Sequence, residues 1–257
     1  MHLRILGCGT SSGVPKIGND WGACDPVDAR NRRTRVSILV RMGGATILVD
    51  TGPDLREQLL AAEVSRVDAV VWTHDHADHC HGLDDLRAIY HKTGPIQGYA
   101  RRETLDSLRA RFAYAFAGGQ GYPALIDGHL LPDWTEFGGG LLRVVDQPHG
   151  RITTAGLIFE ADGAKLVYAT DLNMMTADMR AAYEGADLLV IDCLRRRAHP
   201  THPNLEQALK WIGELGVQSA LLTHMDNSMD YRKLCAELPP SVRPAYDGLE
   251  VELGRAG

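Results

Sequence analysis

Three stretches of this 257-residue chain share one local design. Val71-Trp72-Thr73-His74, Tyr168-Ala169-Thr170-Asp171 and Leu221-Leu222-Thr223-His224 each pass from an apolar segment through a threonine to a residue able to bind a metal. Such short, uninterrupted apolar segments read as buried strands. In α/β sheets ligands collect beyond the carboxyl ends of strands, so the repetition predicts a buried sheet whose strand ends meet at one site. His149, following a strand over 141–145, adds a fourth converging end. A lone histidine would more often be structural. Three ends that finish alike, with His149 after a fourth strand, reverse that weighting.

The first stretch is the densest. His74, Asp75, His76, Asp78 and His79 place five candidate ligands within six positions. Imidazole and carboxylate suit first-row divalent ions such as zinc. His74 and His76, at i and i+2 past a strand end, project to one side and share an ion. Asp78 and His79 fall at the start of a helix and reach a second one. Nitrogen-rich ligands favour Zn2+ over Mn2+ in affinity, while availability decides occupancy.

The remaining chain alternates between strands and helices. Strands are expected over 3–6, 36–40, 45–49, 97–100, 155–160, 165–169, 187–191 and 219–222, and in the tail over 245–253. Helices are expected over 55–62, 82–90, 102–114, 175–183 and 205–215. Residues 116–134, rich in glycine and proline, read as a long lid or interface loop. Asp50 ends a strand, where it either caps the next helix or holds a metal-binding histidine. Gly7-Cys8-Gly9-Thr10-Ser11-Ser12-Gly13-Val14-Pro15 is a tight turn that could present N–H groups to phosphate, without the spacing or lysine of a nucleotide P-loop. Arg30, Arg32, Arg33 and Arg35 read as a solvated face. Arg195, Arg196 and Arg197 form a solvated basic turn or help seat a phosphate.

Composition narrows the function classes. The length suits one large α/β domain over residues 1–257. A formal charge of −6 argues against a general polyanion binder and against long nucleic acid. Five scattered cysteines without a C-x-x-C pair give neither a disulfide framework nor a zinc ribbon. No apolar run is long enough to span a bilayer and no signal peptide is evident, so the cytoplasm is expected.

The cluster His74-x-His76-x-Asp78-His79, followed in order by His149, Asp171 and His224, resembles the metallo-β-lactamase-fold hydrolases. The glycine-hydroxyl loop 7–15 is similar to that of its PhnP-like branch, the phosphoribosyl cyclic phosphate phosphodiesterases, and more distantly of the RNase Z enzymes. The resemblance implies a four-layer αββα sandwich with the site between two sheets. It implies that His74, His76 and His149 hold one divalent ion, that Asp78, His79 and His224 hold another, and that Asp171 bridges them. The metal ions, Zn2+ or Mn2+, would supply ionised water for attack on phosphorus. Asp78, Asp171 and His202 are the residues expected to carry the chemistry, His202 as acid to the leaving group with His199 as its fallback. Asp50 and Asp192 are candidate orienters. The expected partner is a small-molecule phosphodiester, and a homodimer stays open. Cys24 alone stands where PhnP carries a cysteine-rich site, so no third structural metal is expected. No insertion matches an RNase Z arm. His2, His81, His91 and His129 have no place in the pattern.

Overall fold

The structure, a computed structural model, describes residues 1–119 and 121–254. One sheet collects β1 (His2–Gly7), β2 (Ser37–Met42), β3 (Ala45–Val49), β4 (Ala69–Trp72), β5 (Ile96–Ala100) and β6 (Ile126–Leu130). The other collects β7 (Trp134–Phe137), β8 (Gly140–His149), β9 (Ile152–Ala161), β10 (Ala164–Ala169), β11 (Leu188–Asp192), β12 (Ser219–Thr223) and β13 (Val242–Pro244). The chain then returns to the first sheet through β14 (Glu250–Glu252), giving the orders β14-β1-β2-β3-β4-β5-β6 and β13-β12-β11-β10-β9-β8-β7.

Strand alternation sorts side chains between two cores. Ile38, Val40, Ile47, Val49 and Val71 meet Leu142, Leu157 and Phe159 of the other sheet. Leu39, Leu48, Val70 and Trp72, one position along, point outward under helices. Strands covered on both faces carry apolar residues at nearly every position, which is why β2 to β4 read as continuous runs. The first outer layer holds α1 (Leu55–Ala61), α2 (Ala77–Cys80), α3 (Arg87–Thr93), α4 (Arg102–Arg111) and α5 (Ala113–Ala117). The second holds α6 (Ala177–Tyr183), α7 (Leu205–Leu215) and α8 (Tyr231–Glu237). Helix α7 shows the local logic. Asn204 caps it by accepting from Gln207 N, Ala208, Trp211, Ile212 and Leu215 form its buried stripe, and Gly216 ends it at φ 58°. The result is the expected four-layer αββα sandwich.

Several local expectations need correction. Residues 116–134 are no open loop: β6 lies within them and pairs in parallel with β5. Its sequence, Ile-Asp-Gly-His-Leu, lacks a β-branched run, because an edge strand leaves half its side chains to solvent. The helix expected over 102–114 breaks at Phe112 (φ −119°, ψ 40°). That over 82–90 starts as a 3-10 turn, Leu83–Leu86, before α3. Within 245–253 only β14 is strand, while β7, β13 and α8 had no clear pattern. Arg33 is not solvated. It is 1 % exposed and donates to Met229 O at 2.6 Å and Asp226 O at 3.2 Å, tying the N-terminal segment to the stretch after β12. Among the described residues no helix is long and apolar enough to cross a membrane.

Candidate metal centre

The site forms where β3, β4, β8, β10 and β12 end. Asp50, Asp171 and His224, each the first or second residue past its strand, adopt left-handed backbone with φ of 62°, 56° and 57°. Non-glycine residues seldom occupy this region, and at functional sites the strain is held by surrounding structure. Here the turn swings each side chain off its strand axis and into the gap between the sheets. Gly52 serves the same geometry: a Cβ there would overlap the carbonyl oxygen of Asp78, so only glycine lets the β3–α1 turn press against α2.

The Asp171 carboxylate is the hub. Its Oδ1 lies 3.9 Å from His74 Nε2, 3.7 Å from His149 Nε2 and 3.6 Å from His224 Nε2, and its Oδ2 lies 3.2 Å from His79 Nε2. Asp78 Oδ2 stands 3.6 Å from His79 Nε2 and 3.5 Å from His224 Nε2. His76, at the exposed mouth, brings its ring centroid within 4.5 Å of His74 and 5.2 Å of His149. Potential donor atoms thus group as His74, His76, His149 and Asp171, and as Asp78, His79 and His224. A third grouping joins Asp171, His202 and His224.

These spacings fit shared ions. Two donors about 2.0–2.1 Å from one tetrahedral ion sit roughly 3.3 Å apart, close to the observed separations. The Nε2 atoms of His74, His79 and His224 are buried without a hydrogen-bond partner, a costly arrangement that a bound cation resolves. Every residue expected as a ligand reaches this gap.

The far side of most rings is held by the protein. His79 Nδ1 donates to Asp50 Oδ2 at 2.7 Å, and Asp50 also accepts from Thr73 N and Thr73 Oγ1 at 2.8 Å each. Asp50 is therefore an orienter; it makes no cap to α1, whose N-terminus follows Asp54. His149 Nδ1 donates to Thr201 O at 3.0 Å. Thr170 Oγ1 donates to Asp171 Oδ2 at 2.7 Å, bracing the carboxylate beside it, whereas Thr223 Oγ1, at the matching position before His224, is buried without a partner. Such outer contacts fix tautomer and ring direction. Thr201, Ser107 and Arg111 carried no signal in the sequence. Ser107 Oγ and Arg111 both bind Asp75, within the ligand cluster, and Arg111 also reaches His81.

Charge follows the same plan. Burial alone would raise the Asp171 pKa, but His224, His79 and His74 outweigh it and hold the carboxyl well below its usual range. Asp78 is likewise lowered, against burial, by His79 and His224. Burial opposes charge on His79 and His224, yet facing carboxylates, Asp171 foremost, push His79 well above the ordinary value and His224 to about 9. His74 is held well below it by burial and by neighbouring His79, and burial lowers His149. Without metal the site balances ionised carboxylates against protonated histidines, and an incoming cation takes the place of those protons.

His202 sits two residues before Asn204, the α7 cap, its ring centroid 4.7 Å from His224 and 4.8 Å from His149. Its Nδ1 pairs with Asp192 Oδ2 at 2.6 Å. His199, the fallback, instead uses Nδ1 to accept from Thr201 N, bracing the turn. Among other histidines, His129 bonds Gln97 and His2 faces Glu250, both outside the cluster. The loop 7–15 presents fewer N–H groups than its glycines promised. Cys8 N, Gly9 N, Thr10 N and Gly13 N bond to Asp247 Oδ1, Thr34 O, Met225 O and Thr10 O, so much of the loop supports the strand end that carries His224.

A Beta-lactamase superfamily domain model matches residues 45–225. A crystal structure described as a new diphosphatase from the PhnP family superposes with a TM-score of 0.89 at 32 % identity, covering 97 % of this chain and 96 % of that one. The chain belongs to the metallo-β-lactamase superfamily, in its PhnP-like branch. Zn(2+)-bound PqqB from Methylobacterium extorquens shares the metallo-β-lactamase fold, with a TM-score of 0.80 at 21 % identity over 98 % of this chain and 100 % of its own. A Porphyromonas gingivalis protein named octanoyltransferase is 35 % identical over 267 residues, covering 100 % of this chain and 52 % of its own length. The chain thus spans about half of that relative. The donor set fits divalent metal ions, as expected within this superfamily.

Proposed function

We propose that this member of the metallo-β-lactamase superfamily is a dinuclear phosphodiesterase acting on a small cyclic phosphate or nucleotide-type phosphodiester. The observation that carries the reading is the ring of imidazole Nε2 atoms around Asp171, with His202 beside it on a carboxylate of its own. His74, His76 and His149 would hold one divalent ion, Zn2+ or Mn2+, and Asp78, His79 and His224 the other, with Asp171 shared. When bound, such ions lower the pKa of water towards about 7 and offset charge on phosphoryl oxygens.

The chain's own residues do the rest. Asp50 and Thr201 keep Nε2 of His79 and His149 aimed inward. Asp192 holds Nδ1–H of His202, leaving its Nε2 to deliver a proton to the departing alkoxide as the P–O bond breaks. Water then ends up divided between a phosphomonoester and an alcohol.

Asp171→Ala should lose metal and turnover together. His202→Ala should keep its metal and lose about 100- to 10,000-fold in kcat on thymidylyl-thymidine, a diester with a poor leaving group. The loss should shrink on bis-p-nitrophenyl phosphate, whose nitrophenolate departs without a proton. Equal losses on both substrates, or none, would remove His202 from acid catalysis. A second reading, lactone or thioester hydrolysis on the same site, draws on the octanoyltransferase-named relative, and turnover of lactones or acyl thioesters in preference to diesters would establish it. The PqqB-named relatives motivate a third, in which the fold carries a ligand without cleaving it. Inertness of metal-loaded protein toward both ester classes would favour that one.

A further inference from the structure

Asp171, the hub of the centre, stands in left-handed backbone with φ of 56°, a conformation that needs support in a residue other than glycine. The support comes from polar side chains outside the donor set. Gln147 Nε2 donates to the carbonyl oxygen of Thr170 at 2.9 Å and to Thr154 Oγ1 at 3.0 Å. Thr154 Oγ1 passes its own hydrogen to the carbonyl oxygen of Asp171 at 2.9 Å. Tyr183 OH closes the series, donating to Gln147 Oε1 at 2.8 Å. Gln147, Thr154 and Tyr183 are all buried.

The direction of these bonds is forced. Both carbonyl oxygens can only accept, so Gln147 must turn its amide nitrogen toward Thr170 and leave its oxygen for Tyr183. Strand register brings the parts together, since Gln147 and Thr154 lie opposite each other on β8 and β9. Gly156, two residues further along β9, leaves room for the tyrosine: a Cβ there would stand 1.8 Å from its hydroxyl oxygen. Tyr183 is the last residue of α6, so the series runs from an outer helix to the centre. Its two end points decide what it does. The carbonyls of Thr170 and Asp171 belong to the two rigid peptide planes that meet at the Asp171 Cα, so holding both fixes φ and ψ there. The direction of the Asp171 side chain follows, and Thr170 Oγ1 then holds its Oδ2. Pro148 O also accepts from Asn173 N at 2.9 Å, seating the strand end that carries His149 against the same turn.

We infer that Gln147, Thr154 and Tyr183 are positioning residues for the metal centre, which hold the Asp171 turn in its left-handed form and so keep the carboxylate aimed at the imidazole Nε2 atoms. Strained backbone persists only where its surroundings over-determine it. Without the two carbonyl anchors the turn relaxes and carries the carboxylate out of the gap between the sheets. The inference concerns metal uptake and is independent of which ester the centre cleaves.

Three substitutions test it. Thr154→Val keeps the branched shape and removes the hydroxyl, Thr154→Ser keeps the hydroxyl, and Tyr183→Phe removes only the far end of the series. Competition with a chromophoric chelator should show zinc affinity falling about tenfold in Thr154→Val, the usual loss when a ligand's outer support goes. Tyr183→Phe should fall severalfold, and Thr154→Ser should stay near the parent. Visible absorption of the Co2+-loaded protein, which reads ligand arrangement directly, should change in the first two and match the parent in Thr154→Ser. Ile96→Val is the control for stability alone: Ile96 lies in the outer core at the start of β5, the end away from the site. It should lower the melting temperature of metal-free protein without altering zinc affinity or the cobalt spectrum. Lower melting with parent-like affinity and spectra in both Thr154→Val and Tyr183→Phe would overturn the inference, leaving a network that only stabilises. A serine variant no better than the valine one, or an equal loss of affinity in Ile96→Val, would overturn it as well. If Thr154→Val does not fold, Tyr183→Phe against Ile96→Val decides alone. None of these readings needs turnover, so a protein inert toward bis-p-nitrophenyl phosphate would lose the phosphodiester reading and leave this one standing.

Discussion

Replacing Asp50 by asparagine tests whether the chain, and not the metal alone, sets the direction of His79. The carboxylate is fully buried and accepts three hydrogen bonds, two of them on Oδ2. Asparagine keeps the volume and tolerates the left-handed φ of 62°, so the backbone adds no penalty. It brings one acceptor and one donor where two acceptors stood. If its oxygen takes the Oδ2 position, the amide nitrogen faces Thr73 N–H, a buried clash of donors. If the amide is turned, its nitrogen faces His79 Nδ1, and the ring must carry its proton on Nε2, pointing at Asp171 and useless as a ligand. One unmatched buried group costs about 1–3 kcal/mol, which for a chain of this size lowers Tm by roughly 2–12 °C. Loss of an outer partner lowers metal affinity about 10- to 100-fold. Thermal melts of metal-free protein give the first quantity, and competition with a chromophoric chelator gives the second. A variant that melts lower yet takes up zinc with the parent's affinity would refute the orienting role and leave Asp50 a purely structural residue.

Three further outcomes are expected. Ser107→Ala removes the hydroxyl that binds the Asp75 carboxylate between His74 and His76, and should weaken uptake of one zinc ion severalfold while costing about 1 kcal/mol of stability. Isothermal titration with zinc measures it; parent-like affinity would count against the link from α4. Arg33→Met leaves Met229 O and Asp226 O without their donor and should destabilise by about 2–4 kcal/mol in urea unfolding. A loss under 1 kcal/mol would show those carbonyls finding other partners. Asp28, bonded to Arg30, has its pKa lowered to about 2 from an unfolded value of 3.8. Its contribution is present above the unfolded value and lost as pH falls through the folded one. Asp28→Asn should therefore be less stable than the parent at pH 5, with the gap closing towards pH 2, as acid-titrated melts would show; a gap constant with pH would contradict this.

Much of the site was legible because its chemistry is concentrated at strand ends. His74, His76, Asp78 and His79 are neighbours in the chain, and the threonine-then-ligand repeat marked Asp171 and His224 across more than a hundred residues. The core was legible for a related reason: strands buried on both faces need apolar residues at every position, as in Ala69–Trp72. Edge strands relax that demand, and β6, β7 and β13 passed unnoticed. Arginine was misread because charge in sequence looks solvated; the acceptors of Arg33 are carbonyls some two hundred residues away.

The amino-acid order by itself determined the ligand types, the sheet that bears them and the superfamily, since these depend on local pattern and composition. Only the tertiary structure decided that Asp50 turns His79 instead of capping a helix, and that His202 rather than His199 stands beside Asp171. Those choices depend on which distant atoms come within hydrogen-bond or Coulomb range once both sheets have closed on their shared core, and no local pattern encodes that distance.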